Sequence, residues 1–301
     1  MPHLKSSTGD KHQTFALVGE AIDDEQYHHR QDMDILDCAE FYAFDQGSIL
    51  FQYTRVLFHQ DSRIFLGQYS GRKTAIGTNL DIERLSAIQE ILPEMYRPQD
   101  LDNYIHSSKF QVEGVHIKRP NLLQFDGTPH LAELMLVDLK ACEILHQHPH
   151  VNIARYLGCL KEDGKVAALC FSKYKETLMD KLNPEGLSKV DFINTAAEAR
   201  SAASQRYLPR IEQAVRHIHE LGLAHNDINP ENIMIDSEDN PVLIDFDSCV
   251  EQGSPLSGIK RTLGWYDESI EVSRPENDWR ALKEIRTWLE ASTAESFSFG
   301  Y

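Results

Sequence analysis

The chain has 301 residues, of which 41% are hydrophobic, so it can form one bilobal domain or two small domains with a substantial core. Its formal net charge of -17 argues against nonspecific binding to nucleic acid or to anionic membranes, and we expect neither as a partner. The five cysteines are scattered without paired spacing, which predicts buried free thiols.

The amino-terminal third of the chain carries no motif to which chemistry can be assigned. Residues 1–31 are polar without an apolar run, so we expect a disordered tail rather than a signal peptide or membrane anchor, and an intracellular protein, cytoplasmic or nuclear. Residues 32–99 are expected to be ordered. Within them, residues 49–56 and 64–69 predict a hairpin and residues 82–91 predict a helix.

A short strand is predicted at residues 115–118 (Val-His-Ile-Lys), and Pro120 ends it because proline cannot continue the hydrogen-bonded ladder. Period-two alternation places His116 and Lys118 on one face of this strand. A solvated surface lysine explains Lys118 equally well when it is taken alone. The partner of Lys118 therefore decides its role.

A helix is predicted to start at Thr128–Pro129, with a capping hydroxyl and a proline in the first helical position. Its apolar face is interrupted by Asp138, and burying a carboxylate without a cation is costly. We therefore expect Asp138 to pair with Lys118, ahead of Glu133 and then Glu143.

Two polar motifs flank a predicted hairpin in the last third of the chain. They are residues 225–232 (His-Asn-Asp-Ile-Asn-Pro-Glu-Asn) and residues 245–247 (Asp-Phe-Asp). The apolar segments 233–235 and 242–244 lie between them and are joined by the turn-rich residues 236–240. A buried helix that ends near Gly222 is predicted to lead into the first motif.

The predicted register pairs Ile233 with Ile244, which leaves Asn232 and Asp245 side by side. An amide oxygen and a carboxylate can share a magnesium ion, and magnesium bridges nucleotide phosphates. Asp227 enters the same end of the hairpin, where a free carboxylate can orient an attacking hydroxyl and accept its proton. The pattern predicts a phosphoryl-transfer site.

These two motifs resemble the catalytic-loop pattern H-R-D-L-x-x-x-N and the D-F-G motif of the protein kinase superfamily. With Gly-Trp-Tyr-Asp at residues 264–267, the chain looks most like the compact protein kinase-like proteins of filamentous fungi. The resemblance implies an α+β, bilobal protein-kinase-like fold with a small β-rich amino-terminal lobe and a shortened, mainly helical carboxy-terminal lobe. Residues 100–173 would form the first lobe and residues 174–301 the second, with residues 32–99 as an extension that stands apart from the first lobe or joins it.

The resemblance implies an ATP-dependent enzyme that uses Mg²⁺ or Mn²⁺ and transfers phosphate to a Ser or Thr hydroxyl of a protein or peptide. Lys118 would hold the phosphates and Asp138 would orient Lys118. Asp227 would position the acceptor hydroxyl, and Asn232 with Asp245 would bind the metal.

The resemblance assigns supporting roles to further residues. The backbone of Ser172, Lys173 and Tyr174 would contact adenine. Thr262 stands where protein kinases place a Thr near the catalytic Asp, and Asp278 stands where they brace the catalytic loop.

Several positions depart from the kinase pattern. No glycine-rich loop precedes Lys118. Asn229, which belongs to the predicted catalytic set, replaces a lysine. The positive charge that this lysine would place beside the transferred phosphoryl group is therefore missing. Asn226 replaces the arginine that pairs with a phosphorylated activation loop, and Asp247 replaces the glycine of D-F-G.

Two other functions stay open from the sequence. Aminoglycoside- and choline-phosphorylating enzymes share a shorter loop pattern and an Asp-x-Asp motif, so the acceptor could be a small molecule. The missing glycine loop also allows a pseudokinase scaffold without activity.

Overall fold

The computed structural model describes residues 33–45, 48–77, 80–99, 104–106 and 113–299. The tail predicted for residues 1–31 lies outside this part of the chain. No helix among the described residues is both long enough and apolar enough to cross a membrane.

The first part of the described chain is rich in β-strands, and most of its helices follow later in the sequence. The described strands are β1 (Asp34–Asp45), β2 (Ser48–Gln60), β3 (Arg63–Tyr69), β4 (Leu85–Glu90), β5 (Val115–Lys118), β6 (Tyr156–Glu162), β7 (Lys165–Ser172), β8 (Glu176–Thr177), β9 (Leu223–Ala224), β10 (Ile233–Ile235), β11 (Pro241–Leu243) and β12 (Val250–Glu251). The described α-helices are α1 (His130–Gln147), α2 (Leu178–Leu182), α3 (Lys189–Phe192), α4 (Ala197–Glu220) and α5 (Pro275–Glu290).

β1 to β4 form an antiparallel four-stranded sheet in sequence order. It contains the predicted hairpin, since Val56 of β2 pairs with Gly67 of β3. The helix predicted over residues 82–91 is wrong, because this segment is a single 3-10 turn followed by β4. A ten-residue amphipathic helix is marginal by itself, whereas the free edge of β3 offers a ladder of backbone hydrogen bonds.

This sheet packs on the segment that precedes α1. Leu66 of the sheet shares an apolar cluster with Leu123 and Leu131. Arg55 Nη1 donates to the carbonyls of Leu123 and Phe125, at 2.7 and 3.0 Å. The sheet is therefore attached to the start of α1 by both apolar packing and hydrogen bonds.

β5, β7 and β6 form a separate antiparallel sheet with β7 in its centre. The predicted strand at residues 115–118 is confirmed as β5. Lys118 pairs with Leu169 of β7, and α1 packs against β6. The second sheet therefore carries the predicted lysine beside the helix that carries Asp138.

α1 begins one residue later than predicted, at His130 with Pro129 as its N-cap residue. The Thr128 N–H and hydroxyl both donate to the Asp126 side chain, at 2.9 and 2.6 Å. Thr128 is thus engaged in the turn before the helix, and its hydroxyl contacts the His130 N–H only at 3.4 Å.

The predicted hairpin forms as β10 and β11, but its register is shifted by one residue. Ile233 pairs with Leu243 rather than Ile244. The cause lies in the turn, where Asp239 has a left-handed φ of 62° and the Asp236 side chain accepts from the Asn240 N–H at 2.8 Å. A three-residue turn with a left-handed last residue fixes the pairing of the strands that follow.

One apolar core underlies both polar motifs. It joins α1, β7, α4 and α5 through side chains such as Leu139, Leu169, Ile211 and Ile285. Phe246, at the centre of the second motif, is completely buried in this core. No disulfide joins the five cysteines, all of which lie among the described residues, and this confirms the predicted thiols. Four of them are buried as predicted, and Cys38 is half-buried.

Candidate active site

The first polar motif is clamped by a carboxylate from α5. Asp278 is buried and accepts from the His225 N–H at 2.9 Å and the Asn226 N–H at 2.7 Å. His219 Nε2 lies 2.7 Å from the same carboxylate. Asn226 has a left-handed φ of 64°, a conformation that asparagine tolerates better than most residues. The backbone entering the motif is therefore fixed by charge-assisted hydrogen bonds.

Donors on two sides orient the carboxylate of Asp227. Thr262 donates to it through its N–H at 2.7 Å and its hydroxyl at 3.1 Å. Asn232 Nδ2 donates to the same carboxylate at 3.1 Å. Asp227 is only 3% exposed, so these contacts set its orientation and leave little freedom of rotation.

Asn229 fastens this arrangement. Its Nδ2 atom donates to Thr262 Oγ1 at 3.0 Å and to the Asp227 carbonyl at 3.2 Å. Its Oδ1 atom accepts from the N–H groups of Glu231 and Asn232, at 2.9 and 3.2 Å. Both ends of the Asn229 amide are thus engaged within the loop.

Lys118 joins α1 to the second polar motif. Its ammonium lies 2.5 Å from Asp138 Oδ2 and also donates to Asp245. Of the three carboxylates considered on α1, Glu133 is 71% exposed, and Glu143 accepts from the backbone of Ile105 at 3.0 Å. Asp138 is therefore the contact of Lys118, and its short side chain reaches the lysine directly.

Charges in the cleft determine which groups are ionised. Burial lowers the pKa of Lys118, but Asp138 and Asp245 outweigh it and hold the pKa well above its usual value. Burial also opposes ionisation of Asp245, yet the charge of Lys118, followed by that of Lys260, lowers its pKa to about 2. Burial raises the pKa of Asp138 against the opposing effect of Lys118. A protonated lysine and an ionised Asp245 follow for neutral pH.

A second lysine beside Asp245 was not identified from the sequence. Lys260 Nζ lies 3.5 Å from Asp245 Oδ2 and 3.7 Å from Asp247 Oδ2. Burial raises the pKa of Asp247, and the negative charge of Asp245 adds to this effect. The only available sequence signal was the position of Lys260, two residues before Thr262.

Asn232 and Asp245 are neighbours in spite of the shifted register. The Ile244 N–H donates to the Asn232 carbonyl at 2.9 Å, which places Asp245 next to Asn232. Because Asn232 Nδ2 donates to Asp227, its Oδ1 atom is the one suited to a cation. Among the described residues, no three His, Cys, Asp or Glu side chains form a cation site. The residues fit a magnesium ion held by few protein oxygens and completed by phosphates and water.

A cleft of about 390 Å³ extends from Lys118 and Asp245, and Phe171, Met234 and Ile244 are among its apolar lining residues. This volume lies in the range of small-molecule sites. Ser172, Lys173 and Tyr174, which are predicted to contact adenine, are also among its lining residues, and so is His116. The N–H groups of Ser172 and Lys173 donate to the carbonyls of Arg155 and Gly114, at 3.0 and 2.8 Å.

Comparison with known proteins gives one family and several partial relatives. Residues 137–266, less than half of the chain, match the family described as protein kinase domain. The maternal embryonic leucine zipper kinase of Xenopus laevis is 36% identical over 69 residues, which cover 23% of this chain and 10% of that protein. The citron rho-interacting kinase of Rattus norvegicus is 38% identical over 63 residues, covering 21% and 3%. The serine/threonine-protein kinase MRCK gamma of Homo sapiens is 32% identical over 73 residues, covering 24% and 4%. The chain thus spans about a tenth or less of the length of these relatives.

The order of elements, with β-sheet first and helices later, defines a bilobal α+β fold of the kinase type. The match of residues 137–266 to the protein kinase domain, together with the partial kinase relatives, supports a place in the protein kinase-like superfamily. The predicted resemblance to the protein kinase superfamily and the predicted fold class are confirmed.

Proposed function

We propose that this protein is an ATP-dependent protein kinase that transfers the γ-phosphate to a Ser or Thr hydroxyl of a protein or peptide. The observation that carries the proposal is the contact of Lys118 with both Asp138 and Asp245. This lysine unites the helix, the strand and the metal-binding motif that phosphoryl transfer requires in protein kinases. Five cysteines without a disulfide are compatible with a reducing, intracellular compartment.

Each residue of the site has a role in this proposal. Lys118 holds the α- and β-phosphates, and Asp138 orients its ammonium. Asn232 and Asp245 would hold magnesium, which would supply positive charge to offset that of the phosphates. Asp227, held by Thr262 and Asn232, positions the acceptor hydroxyl and accepts its proton.

Adenine occupies the apolar cleft in this proposal. Because the N–H groups of Ser172 and Lys173 already donate to carbonyls of the loop residues Arg155 and Gly114, we assign the base contact to Tyr174 rather than to those two donors. Asn229 acts in the catalytic set by fastening Thr262 to the catalytic loop.

A small-molecule phosphotransferase is the second candidate, because Asp247 lies 3.7 Å from Lys118 and is part of an Asp-x-Asp motif. A peptide acceptor is favoured by an open cavity of about 320 Å³ lined by residues 269–272 and by Arg274 and Arg280. This cavity follows residues 261–268, which resemble the end of a kinase activation segment. The apolar cluster and the hydrogen bonds that join the four-stranded sheet to the start of α1 lie at residues 122–131 and include no residue that lines that cavity.

The proposal is tested by transfer of labelled γ-phosphate from ATP, with magnesium or manganese, to a generic basic protein. Asp227→Asn removes the base and should abolish transfer while leaving ATP affinity within about threefold. Asp163→Asn is the matched control, since Asp163 is exposed in the β6–β7 turn. Equal transfer by wild type and Asp227→Asn would overturn the assignment of Asp227. Transfer only to small alcohols would favour the second candidate, and nucleotide binding without any transfer would favour a scaffold.

A further inference from the structure

In Ser/Thr protein kinases, a lysine of the catalytic loop faces the reacting phosphoryl group. The residue at that position is neutral in this chain. Asn229 stands at that position, and both ends of its amide are bonded to Asp227, Thr262 and neighbouring backbone N–H groups. It therefore supplies no positive charge where negative charge is concentrated during phosphoryl transfer.

Lys260 brings a positive charge to the same place from the activation segment. Its ammonium lies 3.5 Å from Asp245 and 3.7 Å from Asp247, so it sits against the carboxylates that face the phosphates in the proposed function. No other described lysine besides Lys118 contacts either carboxylate.

The backbone around Lys260 is fixed on both sides. The buried Ser248 hydroxyl donates to the Lys260 carbonyl at 2.5 Å. Two residues later, the Thr262 N–H donates to Asp227 at 2.7 Å. These two hydrogen bonds hold the backbone at Lys260 between the proposed metal-binding motif and the carboxylate of Asp227.

The side chain itself keeps the freedom to exchange partners. It is 46% exposed and lies at ion-pair distance from both carboxylates, without a hydrogen bond short enough to lock it among the described contacts. A lysine on a flexible stem is a mobile point charge, well suited to phosphate oxygens.

We propose that Lys260 is a further catalytic residue, whose ammonium binds the γ-phosphoryl oxygens and supplies the charge that Asn229 lacks. This inference rests on the proposed function. In the transfer, the acceptor hydroxyl gives its proton to Asp227 and its oxygen bonds to the γ-phosphorus. The bond from that phosphorus to the β–γ bridging oxygen breaks, and ADP leaves with the electron pair. Lys260 stays protonated throughout and stabilises the charge on the three γ-oxygens.

The test compares Lys260→Gln, Lys260→Arg and the control Lys140→Gln, whose side chain is exposed on α1. Dissociation constants for ATP and ADP with magnesium are measured by calorimetry, and kcat by phosphate transfer. Lys260→Gln should raise the dissociation constant for ATP about tenfold and change that for ADP by no more than about twofold, because only ATP carries the γ-phosphate. Its kcat should fall about 100-fold, on the scale of losing one charge-stabilising donor. Lys260→Arg should recover part of both losses, and Lys140→Gln should match wild type.

Two outcomes for the Lys260→Gln variant overturn the proposal. Equal changes in ATP and ADP affinity, or none, mean that Lys260 does not contact the γ-phosphate. A gain in magnesium affinity or in kcat for Lys260→Gln means that the lysine instead competes with the metal for Asp245 and Asp247. The affinity ratio is read without turnover, so wild type that binds ATP but transfers no phosphate contradicts the proposed function alone. Wild type that binds neither nucleotide contradicts both.

Discussion

Lys189 and Glu284 form a buried ion pair beneath the end of the activation segment. The two side chains are 9% and 0% exposed, and their charged atoms lie 2.8 Å apart. The Lys189 ammonium also donates to the Gly264 carbonyl and lies 4.2 Å from the centre of the Trp265 ring. Glu284 in addition accepts from the Ser298 N–H at 2.9 Å. The pair thus ties α3, α5 and residues 264–265 together.

Glu284→Gln is expected to lower the free energy of unfolding by about 3 to 5 kcal/mol, because it leaves the buried Lys189 charge without a counter-ion. Lys189→Met combined with Glu284→Gln should recover much of this loss. Urea denaturation gives both values. The exposed pair Arg286–Glu212 is the control, and Glu212→Gln should cost less than about 1 kcal/mol. Equal losses at the two sites would mean that burial does not decide the strength of the pair.

Asp278→Asn is expected to reduce phosphate transfer more than tenfold with ATP affinity kept within about threefold. An asparagine can accept from only one of the two N–H groups of His225 and Asn226, and its own NH₂ faces the other. The catalytic loop should loosen while the nucleotide cleft stays intact. If ATP affinity falls as much as phosphate transfer does, the hydrogen bonds of Asp278 support the nucleotide cleft as well as the catalytic loop.

Asp245→Asn should remove the magnesium dependence of ATP binding, because it deletes the ionised carboxylate assigned to the metal. The test is calorimetric titration of ATP with magnesium and with EDTA. Wild type should bind at least tenfold more tightly with magnesium, and the variant should bind equally in both buffers. If magnesium strengthens ATP binding to the variant as much as to wild type, the metal is held by ligands other than Asp245.

Asp247→Asn is expected to raise the thermal midpoint at pH 7 in EDTA. Burial holds the pKa of Asp247 above its usual value, so its ionised form opposes folding wherever the pH exceeds that raised pKa. This cost disappears as the pH falls through the raised pKa towards the ordinary value near 3.8, since both states then carry the proton. The gain of the variant should narrow between pH 7 and pH 4. A gain that widens in acid would contradict this sign, and Asp163→Asn should show no such trend.

Local patterns predicted much of the site. The strand with Lys118, the helix with Asp138 and the order of the two polar motifs all follow from periodicity and turn residues within short windows. The contact of Lys118 with Asp138 was predictable because a carboxylate on an apolar helix face requires a cation.

Long-range and conformational features were not predictable in the same way. β4 forms because β3 presents a free edge, and the sequence of residues 85–90 alone does not contain that edge. The hairpin register depends on the left-handed Asp239, which no apolar pattern records. Lys260 reaches Asp245 only through the path of the activation segment.

The attachment of the four-stranded sheet has a consequence for where this protein can be cut. The family match begins at residue 137, inside α1, so a fragment limited to 137–266 would sever that helix before Asp138 and discard Lys118 altogether. A fragment that starts just before β5 would keep both residues. It would lack the sheet side chains that pack on Leu123 and Leu131, and the Leu123 carbonyl would lose its hydrogen bond from Arg55. The smallest portion that preserves the lysine–carboxylate contact in its native surroundings therefore includes the sheet, far upstream of the recognisable family segment.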